Sequence, residues 1–191
     1  HAVWGIAQTI DRIGVGRDQH GLYRQVGPLL EVYPRAEDEV RAQICKVLGE
    51  LRVDAAFSLL LSALRDESPR VQYFAALSLG KLGHVEAVPQ LFQLAGQNND
   101  QDVYLRHAIV MALVGIDDLP QIERGVRSEQ LAVQRVSLLA LRRLKRGEVS
   151  TFLEHPNLEL VREAALAVND VPIESGTGAL AKLISRPGLD A

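Results

Sequence analysis

Apolar residues recur along this chain in short helical blocks. Five blocks align: VRAQICKVLGEL at 40–51, VQYFAALSLGKL at 71–82, LRHAIVMALVGI at 105–116, VQRVSLLALRRL at 133–144 and VREAALAVNDVP at 161–172. Their starts lie 31, 34, 28 and 28 residues apart. Each opens with an aliphatic residue followed by Arg or Gln. Counted from that polar residue, apolar side chains return at +4, +7 and +10, which lays them on one helix face. They are Cys45, Leu48 and Leu51, then Ala76, Leu79 and Leu82, then Val110, Leu113 and Ile116, then Leu138, Leu141 and Leu144. The last copy keeps Leu166 but has Asn169 and Pro172 in the other two slots. The opening residues fit the same frame with Trp4, Ala7 and Ile10.

A second apolar stretch separates successive blocks: 26–33, 55–64, 87–95, 119–126, 149–154 and 178–185. Each unit is therefore a helical hairpin, an A helix followed by a B helix. Punctuation agrees with that division. Ser68-Pro69 reads as an N-cap and a first helical residue. Gly83 sits where a helix stops, Asp117 and Asp118 where one starts. Asn157 caps the last A helix, and Pro172 ends it. Self-similarity at this period predicts an all-α fold, an α-α superhelix of about six hairpins. The units are approximately 1–33, 37–66, 68–97, 102–127, 129–154 and 157–185, forming a single array over 1–191. Each hairpin is too small to bury its own apolar face, so it must stack on neighbours. The Gly-rich segment GVGRDQHG at 14–21 is expected as a surface loop inserted into the first pair.

The segment DESPRVQYFAALSLGKLGHVEAVPQLFQLA at 66–95 resembles the short HEAT-like repeat of the type found in phycobilisome lyases. The resemblance is strongest over 37–116, weaker over 117–154 and degenerate after 168. LRHAIVMALVGI, VSLLALRRL and LVREAALAVNDVPI are also similar to the HEAT segment of large exported bacterial proteins. In those proteins a sugar-dehydrogenase-like propeller precedes the repeats and a c-type cytochrome follows them. That resemblance implies a connecting array and an exported or periplasmic home; without it the expectation is cytoplasmic. No haem-attachment motif or propeller strand accompanies it, so no redox chemistry falls to these residues. The chain opens within an apolar helical pattern and without Met, which is the expectation for a piece of a longer protein.

Composition narrows the function. Hydrophobic residues make up 47% and charged residues 24% of the 191, as in ordinary globular chains. No stretch reaches the ~18 consecutive apolar residues of a membrane span. The net charge of −3 argues against a dedicated nucleic-acid binder. A single cysteine, Cys45, makes neither an internal disulfide nor a CxxC metal site.

Candidate binding residues come from the recurrent polar position and from charge. Arg41, Arg106 and Arg162 share that position with Gln72 and Gln134. They form either a ladder bonded to the neighbouring unit or a row of donors for an acidic partner. Residues 124–146 hold Arg124, Arg127, Arg135, Arg142, Arg143, Lys145 and Arg146 against Glu129 alone. Arg135, Arg142 and Arg146 fall on one helical face, yet no aromatic residue interleaves them for base stacking. Among the aromatic residues, Tyr73 lies beside the ladder position and is expected as an exposed contact, ahead of Trp4, Tyr23, Tyr33 and Tyr104. The partner-binding candidates are thus Arg41, Arg106, Arg135, Arg142, Arg146 and Tyr73.

Chemistry is harder to place. His1, His20, His84, His107 and His155 fall at no metal-ligand spacing, and His84 and His155 sit at turns where capping explains them. Cys45 occupies a core slot and reads as an inert thiol. No catalytic, cofactor or metal residues are expected, and no cofactor. The expected function is a non-enzymatic scaffold or protein-interaction module, monomeric as a fragment. Its B-helix surface would face a protein partner or flanking domains. The rival is a nucleic-acid-binding HEAT-like array using 124–146. An enzyme would need paired carboxylates on facing B helices, and a shared fold does not supply them.

Overall fold

Helix ends decide where each hairpin turns. In the computed structural model, which describes residues 19–170 and 173–184, Asp102 accepts hydrogen bonds from the amides of Tyr104 (2.8 Å) and Leu105 (3.1 Å). Asn157 does the same for Glu159 (3.0 Å) and Leu160 (3.2 Å), as the sequence predicts. Ser68 makes no side-chain cap. Asp66 two residues upstream takes the Ser68 amide instead, at 2.9 Å.

The described residues are helical and contain no strand. They form two compact units, 1–118 and 119–191. The first holds α1 (Gln19–Val32), α2 (Asp38–Glu50), α3 (Phe57–Ala63), α4 (Pro69–Leu82), α5 (Val88–Asn98) and α6 (Val103–Ile116). The second holds α7 (Leu119–Val126), α8 (Leu131–Arg143), a 3-10 segment (Gly147–Glu154), α9 (Leu158–Asp170) and α10 (Thr177–Ile184). A helices (α2, α4, α6, α8, α9) alternate with B elements, so the fold is an all-α repeat of helical hairpins.

One position controls the A-to-B turn. The residue at +11 has positive φ in four copies: Arg52 (50°), Gly83 (77°), Asp117 (49°) and Lys145 (55°). Only one of the four is glycine. The left-handed turn lets amides beyond the helix reach back to its last carbonyls, as when Val53 bonds Leu48 and Arg146 bonds Leu141, at 3.0 and 2.9 Å. Those six-residue closures are the Schellman pattern. Non-glycine residues pay for the left-handed conformation with roughly 1–2 kcal/mol of steric strain.

In unit 1 the A helices pack almost backbone to backbone. A Cβ added at Gly80 of α4 would lie 2.5 Å from the Ala112 Cα of α6. One added at Gly49 of α2 would lie 2.6 Å from the Ser78 Cα of α4. Ser78 uses the closeness to donate a hydrogen bond to the Cys45 carbonyl at 2.7 Å. The +4 and +7 slots Cys45, Leu48, Ala76, Leu79, Val110, Leu113, Leu138 and Leu141 are all buried, whereas the +10 residues are half-buried.

Three details differ from the sequence reading. Leu166, a core slot by the repeat frame, is 40% exposed. In α2 that slot, Cys45, is buried with Tyr33 beside it, and α9 is the last A helix among the described residues. The B element at 149–154 is a 3-10 helix: the hydroxyls of Ser150 and Thr151 bond the carbonyls three residues back, Gly147 and Glu148, both at 2.8 Å. Such local bonds compete with α-helical pairing. Lastly, α1 begins at Gln19, so Gln19–Gly21 of the Gly-rich segment are helical. Residues 14–18, the opening block with His1, Trp4, Ala7 and Ile10, and Pro172 lie outside the described residues.

Two outcomes follow from this packing. Gly80→Ala forces the α4 and α6 backbones apart and should lower stability by about 1–3 kcal/mol in urea melts; Gly178→Ala, where nothing lies within 4 Å, should not. Arg52→Gly should relieve left-handed strain and raise the urea midpoint, whereas Gly83→Ala should lower it by roughly 1–2 kcal/mol.

Candidate functional site

The recurrent polar position near the start of the A helices α2, α4, α6 and α8 is bonded to turns. Arg41 grips Asp66 through two hydrogen bonds, Nε to Oδ2 at 2.8 Å and Nη2 to Oδ1 at 2.9 Å. Its third donor reaches the Ala36 carbonyl at 2.7 Å. Gln72 donates to the Asp66 carbonyl at 2.8 Å, Arg106 to Asp100 Oδ1 at 3.2 Å and Gln134 to the Ser128 carbonyl at 2.7 Å. Gln72, Arg106 and Gln134 each span from their own helix to the turn that precedes it; Arg41 does so through Ala36 and also crosses to Asp66, in the turn before the next A helix. Arg162 is exposed on α9. Arg41 and Arg106 therefore brace turns, and their guanidinium groups are already engaged.

Asp66 is the centre of the most elaborate of these braces. Its carboxylate is held by Arg41 and the Ser68 amide, and its carbonyl by Gln72. Burial alone would raise its pKa, but the Arg41 and Ser68 hydrogen bonds outweigh that and hold it below the usual carboxylate range. Nearby, burial pushes the Cys45 thiol up to about 12. Burial, aided by the neighbouring Cys45 and Asp66, drives the Tyr33 phenol far above its ordinary value. The Tyr33 hydroxyl is buried with the Cys45 thiol as its polar neighbour and no stronger partner. This cluster holds a protonated thiol and a protonated phenol, neither of them a nucleophile at neutral pH.

Among the described residues the exposed aromatic side chain is Tyr104, not Tyr73. Tyr73 is half-buried and meets Phe74 edge-on, with ring centroids 5.1 Å apart. Tyr104 in the first turn of α6 is 75% exposed, and Val103 beside it 51%. They adjoin a cleft of about 390 Å³ lined by Pro69, Gln72, Leu94, Gln97, Asn98, Gln101, Asp102 and Leu105. Leu94 and Leu105 are buried, and the carboxylate of Asp102 is occupied in capping α6. Val103 lies outside the +4, +7, +10 frame. An exposed aliphatic residue at a helix start also occurs at Leu131 and Leu158, so what sets this edge apart is the tyrosine that follows Val103.

Two arginines of the basic segment are engaged by acids of a neighbouring helix. Arg135 pairs with Glu159, and Arg142 with Glu163 (3.6 Å) and Asp170 (3.2 Å), all three acids on α9. Arg127, just past the end of α7, pairs with Glu123 of that helix at 3.3 Å. Arg146 is half-buried at the turn after α8, while Arg143 and Lys145 are exposed. The segment's charge thus answers to acids that a count over 124–146 leaves out.

Among the described residues no group of three or more His, Cys, Asp or Glu is placed to hold a metal. His155 accepts the Asn157 amide at 3.0 Å, a turn role as expected. His84 instead stacks on Phe57, with centroids 4.8 Å apart, and contacts Asp54 at 3.1 Å. His107 is exposed on α6. No described helix is long and apolar enough to cross a membrane.

Residues 26–113 match the family model of HEAT repeats. The match runs from α1 to α6. Within the matched residues lie the backbone-close A helices, the Arg41, Gln72 and Arg106 braces and the Tyr104 edge. No curated protein matches the chain.

The Asp66 brace predicts a pH effect of definite sign. A carboxyl held low when folded contributes stability above its unfolded pKa, about 3.9, and loses that contribution as pH falls through the folded value. Asp66→Asn leaves Arg41 without its counter-charge and should cost about 1–3 kcal/mol at pH 7. The gap from wild type should close as the pH of the melts falls below 4. Cys45 should resist a thiol reagent at pH 8 in the native protein and react fully in denaturant; ready native labelling would place it at the surface.

Proposed function

We propose that this chain is a non-enzymatic protein-interaction module, and that its docking edge in unit 1 is the start of α6. The observation that carries the reading is the exposed Val103–Tyr104 pair beside the cleft between α4, α5 and α6. A tyrosine held on a capped helix offers large contact area at little entropic cost, the property of interface anchors. The B-helix face that the sequence favours is thinner in anchors. On α3 and α5 its exposed residues Ser58, Ser62, Pro89, Gln93 and Gln97 are neutral and small or flexible, and Val32 at the end of α1 is exposed with no exposed aromatic beside it, Tyr33 being buried. A protein surface, whether a separate partner or a neighbouring domain, suits the cleft better than an ion, because its walls are amides and aliphatics. Partners of the kinds met by phycobilisome-lyase-type repeats, or by the HEAT segment between a dehydrogenase-like and a cytochrome domain, are the finer versions of this reading. The inward pairing of Arg135 and Arg142 disfavours a duplex-binding role for 124–146.

A photo-crosslinking residue at position 104 of the full chain should give a discrete protein adduct in the native cell. The same residue at Ser58 should not. Adducts at 58 alone would move the interface to the B-helix face, and none at either position would remove the reading. In parallel, generic duplex DNA should bind weakly or not at all; tight binding that weakens steeply with salt would favour the nucleic-acid role instead.

A further inference from the structure

The seam between successive A helices changes its chemistry from unit 1 to unit 2. In unit 1 the +8 residue is glycine, Gly49 in α2 and Gly80 in α4, and backbones meet there. In α8 the +8 residue is Arg142. Its guanidinium spans to Glu163 and Asp170 of α9, while Arg135 spans to Glu159. Every arginine of these pairs is on α8 and every acid on α9. The side chains are partly solvated, Arg142 at 30% and Asp170 at 48% exposure. The buried face of α9, with Leu160, Val161, Ala164, Ala167 and Val168, packs mainly on the 3-10 segment Gly147–Glu154 of its own unit, and far less on α8.

We infer that the α8–α9 seam is an electrostatic latch, at which the last hairpin is held on α8 by charge and released by ionic screening without unfolding. The physical contrast is direct. Backbone contact through glycine is indifferent to salt. Solvated ion pairs weaken as the Debye length shrinks from about 30 Å at 0.01 M to about 3 Å at 1 M. Single exposed pairs contribute little, but three acids converging on two arginines along one helix form a network. The apolar attachment of α9 to the 3-10 segment keeps the hairpin folded when the latch opens. This joint is independent of the Tyr104 edge, which lies in unit 1.

Spin-label distances in the full chain test it. Labels go on Leu131→Cys of α8 and Arg162→Cys of α9, both exposed positions. A control pair goes on Val40→Cys of α2 and Lys81→Cys of α4. Buried Cys45 stays unlabelled. Raising salt from about 0.01 to about 1 M should turn a single narrow α8–α9 distance into a broad, longer distribution. The α2–α4 distance should stay narrow, and helicity by circular dichroism should not change. Arg142→Ala should give the broad distribution already at low salt. A wild-type α8–α9 distance that stays narrow across the salt range would overturn the latch. So would a control pair that broadens equally, or a loss of helicity in step with the broadening.

Discussion

How closely two A helices approach is the constraint from which the rest of unit 1 follows. Backbone contact at Gly49 against Ser78 and at Gly80 against Ala112 leaves no room for side chains at the centre of the seam. The large apolar groups are therefore displaced to the flanks, where Leu48, Leu79 and Leu113 are fully buried. Interior packing at that density tolerates little volume change. The same closeness brings the Ser78 hydroxyl within 2.7 Å of the Cys45 carbonyl. It also leaves the helix starts, rather than helix middles, as the places where long polar side chains can work.

That division of labour explains the ladder. An Arg or Gln at the start of an A helix cannot point into a seam lined by glycine and alanine. It folds back onto the connecting turn, where unpaired carbonyls and carboxylates wait. Asp66 shows the result: three residues bond to it, Arg41 from α2 and Ser68 and Gln72 from the start of α4. At the opposite helix end, a left-handed residue performs the matching task through the backbone, and so accepts Arg52, Asp117 and Lys145 as well as Gly83.

Much of this was legible in the sequence. The period and the +4 and +7 slots follow from apolar spacing, because burial acts on every copy alike. The caps Gly83 and Asn157 carry their own chemistry. What stayed hidden depends on contacts, near and far in sequence, that apolar spacing does not record. The left-handed +11 position is invisible where its residue is Arg or Lys, since strain is paid by the surrounding turn. Leu166 looks like core because the frame records spacing and not the presence of a neighbour. Tyr73 and Tyr104 differ in burial, which composition does not reveal. The 3-10 form of 147–154 arises from hydroxyls competing with the helix, a contest that apolar periodicity does not register.

The basic segment makes the same point about charge. Counted along the chain, 124–146 is strongly positive and invites an anionic ligand. In space, the acids of α9 reach Arg135 and Arg142 first. A ligand would have to displace carboxylates that are already positioned and carry no translational cost of binding. Sequence-local charge therefore speaks to which helices pair at least as much as to what binds. Where glycine at the seam gives way to arginine, attraction between helices passes from dispersion, which needs contact, to electrostatics, which acts across a gap and depends on the solution around it.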